Sequence, residues 1–361
     1  MAEKKLLKGN EAIALAAIRC GCDGYFGYPI TPQSEVMETL MEEKPWETTG
    51  MVVLQAESEV AAINMLYGGA ACGKKVMTSS SGPGVSLMCE GLSYLAGTEL
   101  PCLVVNVARG GPGLGTIQPG QSDYFQATKG GGHGDYYLIV LAPSSVQEMN
   151  DFVDLAFDLA FKYRNPAMIL TDGVIGQMME KVELSPEKPR WTDAEIKKKS
   201  GDWASIGKTP DRPQHILSSL DFDAETKEIF NQKLIKKYNE IRKNEIRFEK
   251  MQCDDAEYLL VAYGAMARIC EEAIEIARTQ GIKLGLLRPI TLFPYPYNAI
   301  RELTPQLKGI LSLELSAGQM VEDVRLAANG KVVVEHYGRM GGMVPNPGEV
   351  LEALKKTFSI K

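Results

Sequence analysis

No apolar run in these 361 residues approaches the about 18 that a membrane-crossing helix needs, which excludes a spanning segment. The opening stretch Met1-Ala2-Glu3-Lys4-Lys5-Leu6-Leu7-Lys8-Gly9 lacks the long apolar centre of a secretory leader, so a cytoplasmic protein is expected. No Cys-x-x-Cys pair occurs among the seven cysteines. An odd number of cysteines scattered along the chain speaks for reduced thiols, and against a disulfide frame or an iron–sulfur site held by this chain alone. Cys20 and Cys22, the nearest pair, are expected to be buried and apolar in behaviour. His133, His215 and His336 are too far apart in sequence for a local zinc motif, and no metal site is expected on this chain. Positive charge is also in deficit. Lys and Arg number 39 against 46 Asp and Glu, a net charge of −7 that disfavours a nucleic-acid or anionic-membrane surface. No nucleotide-binding P-loop is present either, since the run from Gly68 carries Lys75 where that motif requires a hydroxyl.

What remains is ordinary globular composition, with 45% hydrophobic and 24% charged residues, and a length that suits about two domains at roughly 150 residues each. Over the first 180 residues strand-like and helix-like segments alternate. Strands are predicted over 25–28, 51–55, 75–79, 101–107, 137–141 and 167–170, and helices over 10–20, 35–43, 58–71, 85–96 and 145–163. Ser145 and Glu148 read as a capping box for the last of these helices. Between 182 and 254 the texture changes to lysines, prolines and a charged helix over about 224–250, read as a solvated linker. From Glu257 the alternation returns, with strands over 258–262, 284–287, 310–315 and 332–336 and a helix over 267–278. The fold class is therefore α/β, two open parallel-sheet domains joined by a charged helical linker, with boundaries at 1–181, 182–254 and 255–361.

Ligands of open parallel sheets bind at the carboxyl ends of the strands, and four loops there are unusual. Tyr28-Pro29-Ile30-Thr31-Pro32 brackets a hydroxyl with two prolines. Gln55-Ala56-Glu57-Ser58-Glu59-Val60 puts two acids at a helix start; helix capping accounts for Ser58 and Glu57, while the apolar run after Glu59 leaves that acid either interior or exposed. Thr78-Ser79-Ser80-Ser81-Gly82-Pro83-Gly84 is a hydroxyl-rich turn opening a helix, suited to cradle an anion on backbone N–H groups. Arg109-Gly110-Gly111-Pro112-Gly113-Leu114-Gly115-Thr116 sets an arginine fork directly after an apolar strand, under a glycine-rich cover. Together they describe a site for an anionic substrate.

The Tyr-Pro-Ile-Thr-Pro, Glu-Ser-Glu, Ser-Ser-Gly-Pro-Gly and Ala-Arg-Gly-Gly-Pro-Gly segments, with Leu313-Glu314-Leu315 and Gly318-Gln319-Met320 further on, resemble the alpha chain of 2-oxoacid:ferredoxin oxidoreductases. The resemblance implies a thiamine diphosphate enzyme, with a pyrimidine-binding first domain and a second domain like the transketolase C-terminal domain. It implies that Glu59 hydrogen-bonds the pyrimidine ring, with Pro29, Ile30, Ser81 and Gly82 beside the cofactor, and that Thr31 and Arg109 hold the 2-oxoacid. No Gly-Asp-Gly occurs in the chain, so Mg2+ and the diphosphate are expected on a beta subunit. Iron–sulfur (4Fe–4S) clusters are expected on gamma and ferredoxin-like subunits, with ferredoxin as acceptor and coenzyme A as co-substrate. The isolated chain is expected to be inactive. No Lys or Arg occurs between Gly110 and Thr128, and Leu114 and Ile117 suit a branched aliphatic tail; a 2-oxoisovalerate-type acid is expected, with a 2-oxoglutarate enzyme or a non-catalytic scaffold subunit as the alternatives. For Glu314 and Arg339, buried pairing and a functional role both remain open.

Overall fold

The computed structural model describes residues 3–210 and 212–360. Strands Leu103–Ala108 and Ala167–Asp172 are buried at every position, as expected of parallel strands covered by helices on both faces. They form the centre of a seven-stranded sheet ordered Thr291–Phe293, Ile139–Leu141, Ala167–Asp172, Leu103–Ala108, Val76–Ser80, Gly24–Gly27 and Val52–Gln55, parallel except for its first member. A second, five-stranded sheet is ordered Val334–Gly338, Gly309–Glu314, Tyr258–Val261, Leu284–Pro289 and Phe248–Met251, with only the last strand antiparallel.

Several elements depart from the sequence reading, among them the unforeseen helices Asp193–Ser200, Tyr297–Leu303, Met320–Ala328 and Pro347–Phe358. The charged helix runs over Ala224–Asn244 and not on to 250, because Phe248–Met251 pairs with the open edge of Leu284–Pro289. Thr291–Phe293 leaves the second sheet and extends the first beside Ile139–Leu141, so the two sheets exchange chain across the expected boundary. At the other end of the linker, Met179–Glu183 pairs antiparallel with Lys4–Lys8, a lysine-rich strand that the hydrophobic pattern does not announce. The expected capping box is also half-formed. Ser145 Oγ accepts from Glu148 N at 3.1 Å, but the Glu148 carboxylate turns to Ser144 N (2.7 Å) and to Arg288 of the second sheet (2.6 and 2.8 Å). A buried arginine outcompetes the reciprocal cap, since a charge-assisted fork is the stronger bond.

One apolar core is continuous through both sheets, and a smaller one lies on the far face of the second. The junction is stitched by Asp172 and Gln121. Asp172 Oδ1 accepts from Val174 N (3.0 Å) and Ile175 N (3.2 Å), capping its own helix, and its Oδ2 accepts from Ala265 N (3.1 Å) at the start of Gly264–Thr279. Gln121 Nε2 donates to Tyr263 O (2.9 Å), and its Oε1 and backbone N–H bond Leu315 N (3.0 Å) and Leu315 O (2.8 Å). Burial raises the Asp172 carboxyl above its ordinary range, against the four donors that pull it down. Removing those acceptors strands buried N–H groups of two helices, so Asp172→Ala is expected to cost about 3 kcal/mol, read as a lowered denaturation midpoint.

Candidate active site

Strand Gly24–Gly27 lies between Val52–Gln55, the next strand in sequence, and Val76–Ser80, the one after that. Connections therefore diverge at Gly24–Gly27 and Val76–Ser80, whose carboxyl ends are where such folds take ligands. The 28–32 loop, Ser81 and Gly82, and the start of the Glu59 helix all converge there.

The 28–32 loop is held from beneath by a buried chain of polar groups. Tyr25 and Ser79 hydroxyls are 2.8 Å apart, Ser79 Oγ donates to Gln33 Oε1 at 2.5 Å, and Gln33 Nε2 donates to Tyr28 O at 3.1 Å. Asn10 Nδ2 (2.7 Å) and Gln177 Nε2 (3.1 Å) bond Pro32 O. Pro29 and Thr31 are left exposed and Ile30 half-buried on the rim.

Glu59 is the first residue of helix Glu59–Ala71, behind the cap Ser58, whose Oγ accepts from Ala61 N at 3.2 Å. The residue is 6% exposed, yet among the described residues nothing donates a hydrogen bond to its carboxylate. The carboxylate lies against Gly84 in the next helix, where an added Cβ would come within 2.6 Å of Glu59 Oε1 and 2.2 Å of Ser80 Oγ. Only a glycine admits the acid there. The hydroxyls of Thr78, Ser80 and Ser81 are buried without partners, and Ser80 Oγ lies beside Glu59 against Gly84.

Arg109 follows strand Leu103–Ala108. Its Nη1 donates to Thr31 O (2.8 Å) and its Nη2 to Leu114 O (2.8 Å), while Nε is buried without a partner. The arginine thereby ties the 28–32 loop to the glycine-rich loop, which closes on itself through Thr116 N to Gly110 O (2.8 Å) and Gly110 N to Gln118 O (2.9 Å). Gly115, at φ +62, would put a Cβ 1.9 Å from Gly110 O, so this turn requires glycine. Beneath the loop is a cavity of about 620 Å³, walled by Gly82, Arg109 and Leu114 from the first sheet and by Leu315, Gln319 and Met340 from the second. Arg109 is the one Lys or Arg among its lining residues. Asp123 shares it, its carboxyl accepting from Asn106 Nδ2 at 2.9 Å; burial raises that carboxyl, and the Asn106 bond and the Arg109 charge oppose the rise.

Of the residues singled out from sequence, Arg109 and Gly82 line this cavity, whereas Thr31 does not line it and meets Arg109 only through its backbone carbonyl. Glu59 sits behind Gly84 and Ser80, and it does not line the cavity; neither do Pro29, Ile30 or Ser81. Glu314 and Arg339 make internal contacts. Glu314 is fully buried and accepts from the N–H groups of Gln319 (2.9 Å), Met320 (3.1 Å) and Val321 (3.1 Å), capping helix Met320–Ala328. Arg339 pairs with Glu349 at 2.5 Å. The roles of Gln121 and Gly84, and Met340 altogether, went unread in the sequence. For Gly84 the spacing after Ser-Gly-Pro was a signal, whereas Gln121 and Met340 matter only through partners far along the chain.

Residues 15–247 match the family model for pyruvate flavodoxin/ferredoxin oxidoreductases, thiamine diphosphate-binding, and residues 256–350 match pyruvate:ferredoxin oxidoreductase core domain II. The chain belongs to the 2-oxoacid:ferredoxin oxidoreductase family. The ketoisovalerate oxidoreductase subunit VorB of Methanothermobacter thermautotrophicus is 49% identical over 98% of this chain and 97% of its own. The 2-oxoglutarate synthase subunit KorA of Methanothermobacter marburgensis is 35% identical over 98% of this chain and 99% of its own. A solved 2-oxoglutarate:ferredoxin oxidoreductase from Magnetococcus marinus, with 2-oxoglutarate, coenzyme A and succinyl-CoA bound, superposes with a TM-score of 0.85 at 27% identity, over 99% of this chain and 66% of that one. Like its relatives in this family, the chain is an oxidoreductase subunit whose first domain is of the thiamine diphosphate-binding kind. Among the described residues no helix is long and apolar enough to cross a membrane.

Proposed function

We propose that the chain is the alpha subunit of an oxidoreductase that converts 2-oxoisovalerate and coenzyme A to the branched acyl-CoA and CO2, passing two electrons to ferredoxin. The carrying observation is the cavity's chemistry: one cation, Arg109, for one carboxylate, and Leu114, Leu315 and Met340 for an aliphatic tail. A second carboxylate, as in 2-oxoglutarate, would be desolvated there without a counter-charge from this chain. The 49% identity to a ketoisovalerate oxidoreductase subunit, against 35% to a 2-oxoglutarate synthase subunit, supports the same reading.

The residues present fit one end of thiamine diphosphate. A buried acid without an internal partner, a glycine that lets it lie flat, and the unpartnered hydroxyls of Ser80 and Ser81 suit the pyrimidine ring. When bound, the cofactor supplies the carbon nucleophile and the electron sink for loss of CO2. Glu59 would hold a proton toward the ring, Gly82 and Ser81 would lie beside it with Pro29 and Ile30 at the rim, and Arg109 with Thr31 would orient the substrate carboxylate. Among the described residues no three Asp, Glu, His or Cys converge as metal ligands. We propose Mg2+ with the diphosphate on a beta subunit, since this sequence carries no Gly-Asp-Gly, and iron–sulfur clusters on gamma and ferredoxin-like subunits. Exposed Val52, Leu54, Val60 and Leu87, on the edge strand and the two helices around Glu59, supply an apolar face for the beta subunit.

The test is viologen reduction by the native complex with 2-oxoisovalerate, 2-oxoglutarate, pyruvate and indolepyruvate. At least a tenfold preference in kcat/KM for 2-oxoisovalerate is expected, equivalent to about 1.4 kcal/mol in the transition state. A preference for 2-oxoglutarate would overturn the substrate assignment and leave the family intact.

A further inference from the structure

We propose that a second cavity, of about 250 Å³ and sharing no lining residue with the first, binds a small monocarboxylate with an apolar body. It forms where three distant segments meet: the end of helix Ala224–Asn244, the 292–298 stretch that crosses between the sheets, and helix Met320–Ala328 with Lys129 beside it.

The charges in this cavity do not cancel. Lys129 Nζ lies 2.6 and 2.7 Å from the two carboxylate oxygens of Asp323, which also accept from the hydroxyls of Tyr124 (2.6 Å) and Tyr297 (2.5 Å). That pair is internally satisfied. Arg242 is not. Its guanidinium lies 4.7 Å from the Tyr137 ring and 5.1 Å from the Phe293 ring, which stack on each other at 4.4 Å. Its one hydrogen bond among the described residues goes to Asn239 Oδ1 at 3.1 Å, and no carboxylate there lies within ion-pair distance. A guanidinium braced on two rings with donors to spare is a ready fork for a carboxylate.

A second polar group belongs to the wall. Tyr295 lines the cavity, is 4% exposed, and its hydroxyl is buried with no partner. Orphaned buried hydroxyls are rare because they are costly. Leu292, Ile246 and the tyrosine rings complete an apolar wall. One surplus positive charge matches a monoanion, whereas a phosphate dianion would bring excess negative charge beside Asp323. The volume, about eight waters at roughly 30 Å³ each, holds an acid of a few carbons or a single ring. Helix Tyr124–Thr128 separates the cavities, with Asp123 before it facing the first and Thr128 at its end facing the second.

Calorimetric titration of the assembled complex with benzoate, benzyl alcohol and inorganic phosphate tests this. Benzoate is expected to fill, apart from any binding at Arg109, one saturable site per chain that 2-oxoisovalerate does not displace, at least tenfold tighter than the alcohol or phosphate. Arg242→Gln should weaken it at least tenfold. Tyr295→Phe, which deletes only the unpartnered oxygen, should weaken it about threefold or more without lowering the thermal midpoint. No saturable benzoate binding, equal affinity for the alcohol, tighter binding of phosphate, or benzoate binding unchanged in both variants would overturn the proposal.

Discussion

Glu59→Gln in the assembled complex is expected to lower turnover by about 10²- to 10⁴-fold, the span that a positioned proton-transfer group contributes, while the subunits still assemble. Stability is spared for a structural reason. Nothing among the described residues donates to the Glu59 carboxylate, so an isosteric amide strands no partner. The Ser58 cap bonds Ala61 N and is unaffected by the change. Gly84 still leaves room for the side chain. Asp172 makes the opposite case, with every contact internal and its loss felt in folding. Viologen-coupled kcat together with size-exclusion of the complex separates the two effects. Near-normal turnover in the glutamine variant would make Glu59 a helix-start residue only, as a scaffold subunit would have it.

Arg109→Lys is expected to lower kcat/KM for the 2-oxoacid about 100-fold, or about 2.7 kcal/mol, with most of the loss in KM. Arginine presents five donors in a fixed fork. Two of them are spent on Thr31 O and Leu114 O, which ties the two loops together and leaves three for a carboxylate, the unpartnered Nε among them. A lysine ammonium has three donors on one atom and cannot span both carbonyls and a substrate. Steady-state kinetics across substrate concentration reads the split. A lysine variant within about threefold of the parent would mean that Arg109 serves loop structure alone.

The loops were legible in the sequence because their signals are local. Prolines around Thr31, a cap before Glu59, glycines after Arg109 and an apolar strand before it each constrain a few adjacent residues, and a parallel sheet carries all of them to one edge. Where the reading failed, the deciding partner was remote. Glu148 leaves its capping box for Arg288, 140 residues on. Gln121 looks like one more loop residue until Leu315, 194 residues later, pairs with it. Thr291–Phe293 is too short to announce a strand, and its choice of sheet depends on an edge supplied by Ile139–Leu141. The placement of Met340 across from Leu114 is of the same kind, since periodicity says nothing of which loop faces which.

The most direct measurement is an experimental structure of the whole complex with its coenzyme in place. A Glu59 carboxylate oxygen within about 2.6–3.2 Å of a ring nitrogen of the coenzyme's pyrimidine, at an interface with a second subunit, is the predicted result. A coenzyme seated elsewhere, with Glu59 turned to bulk water, would contradict the account.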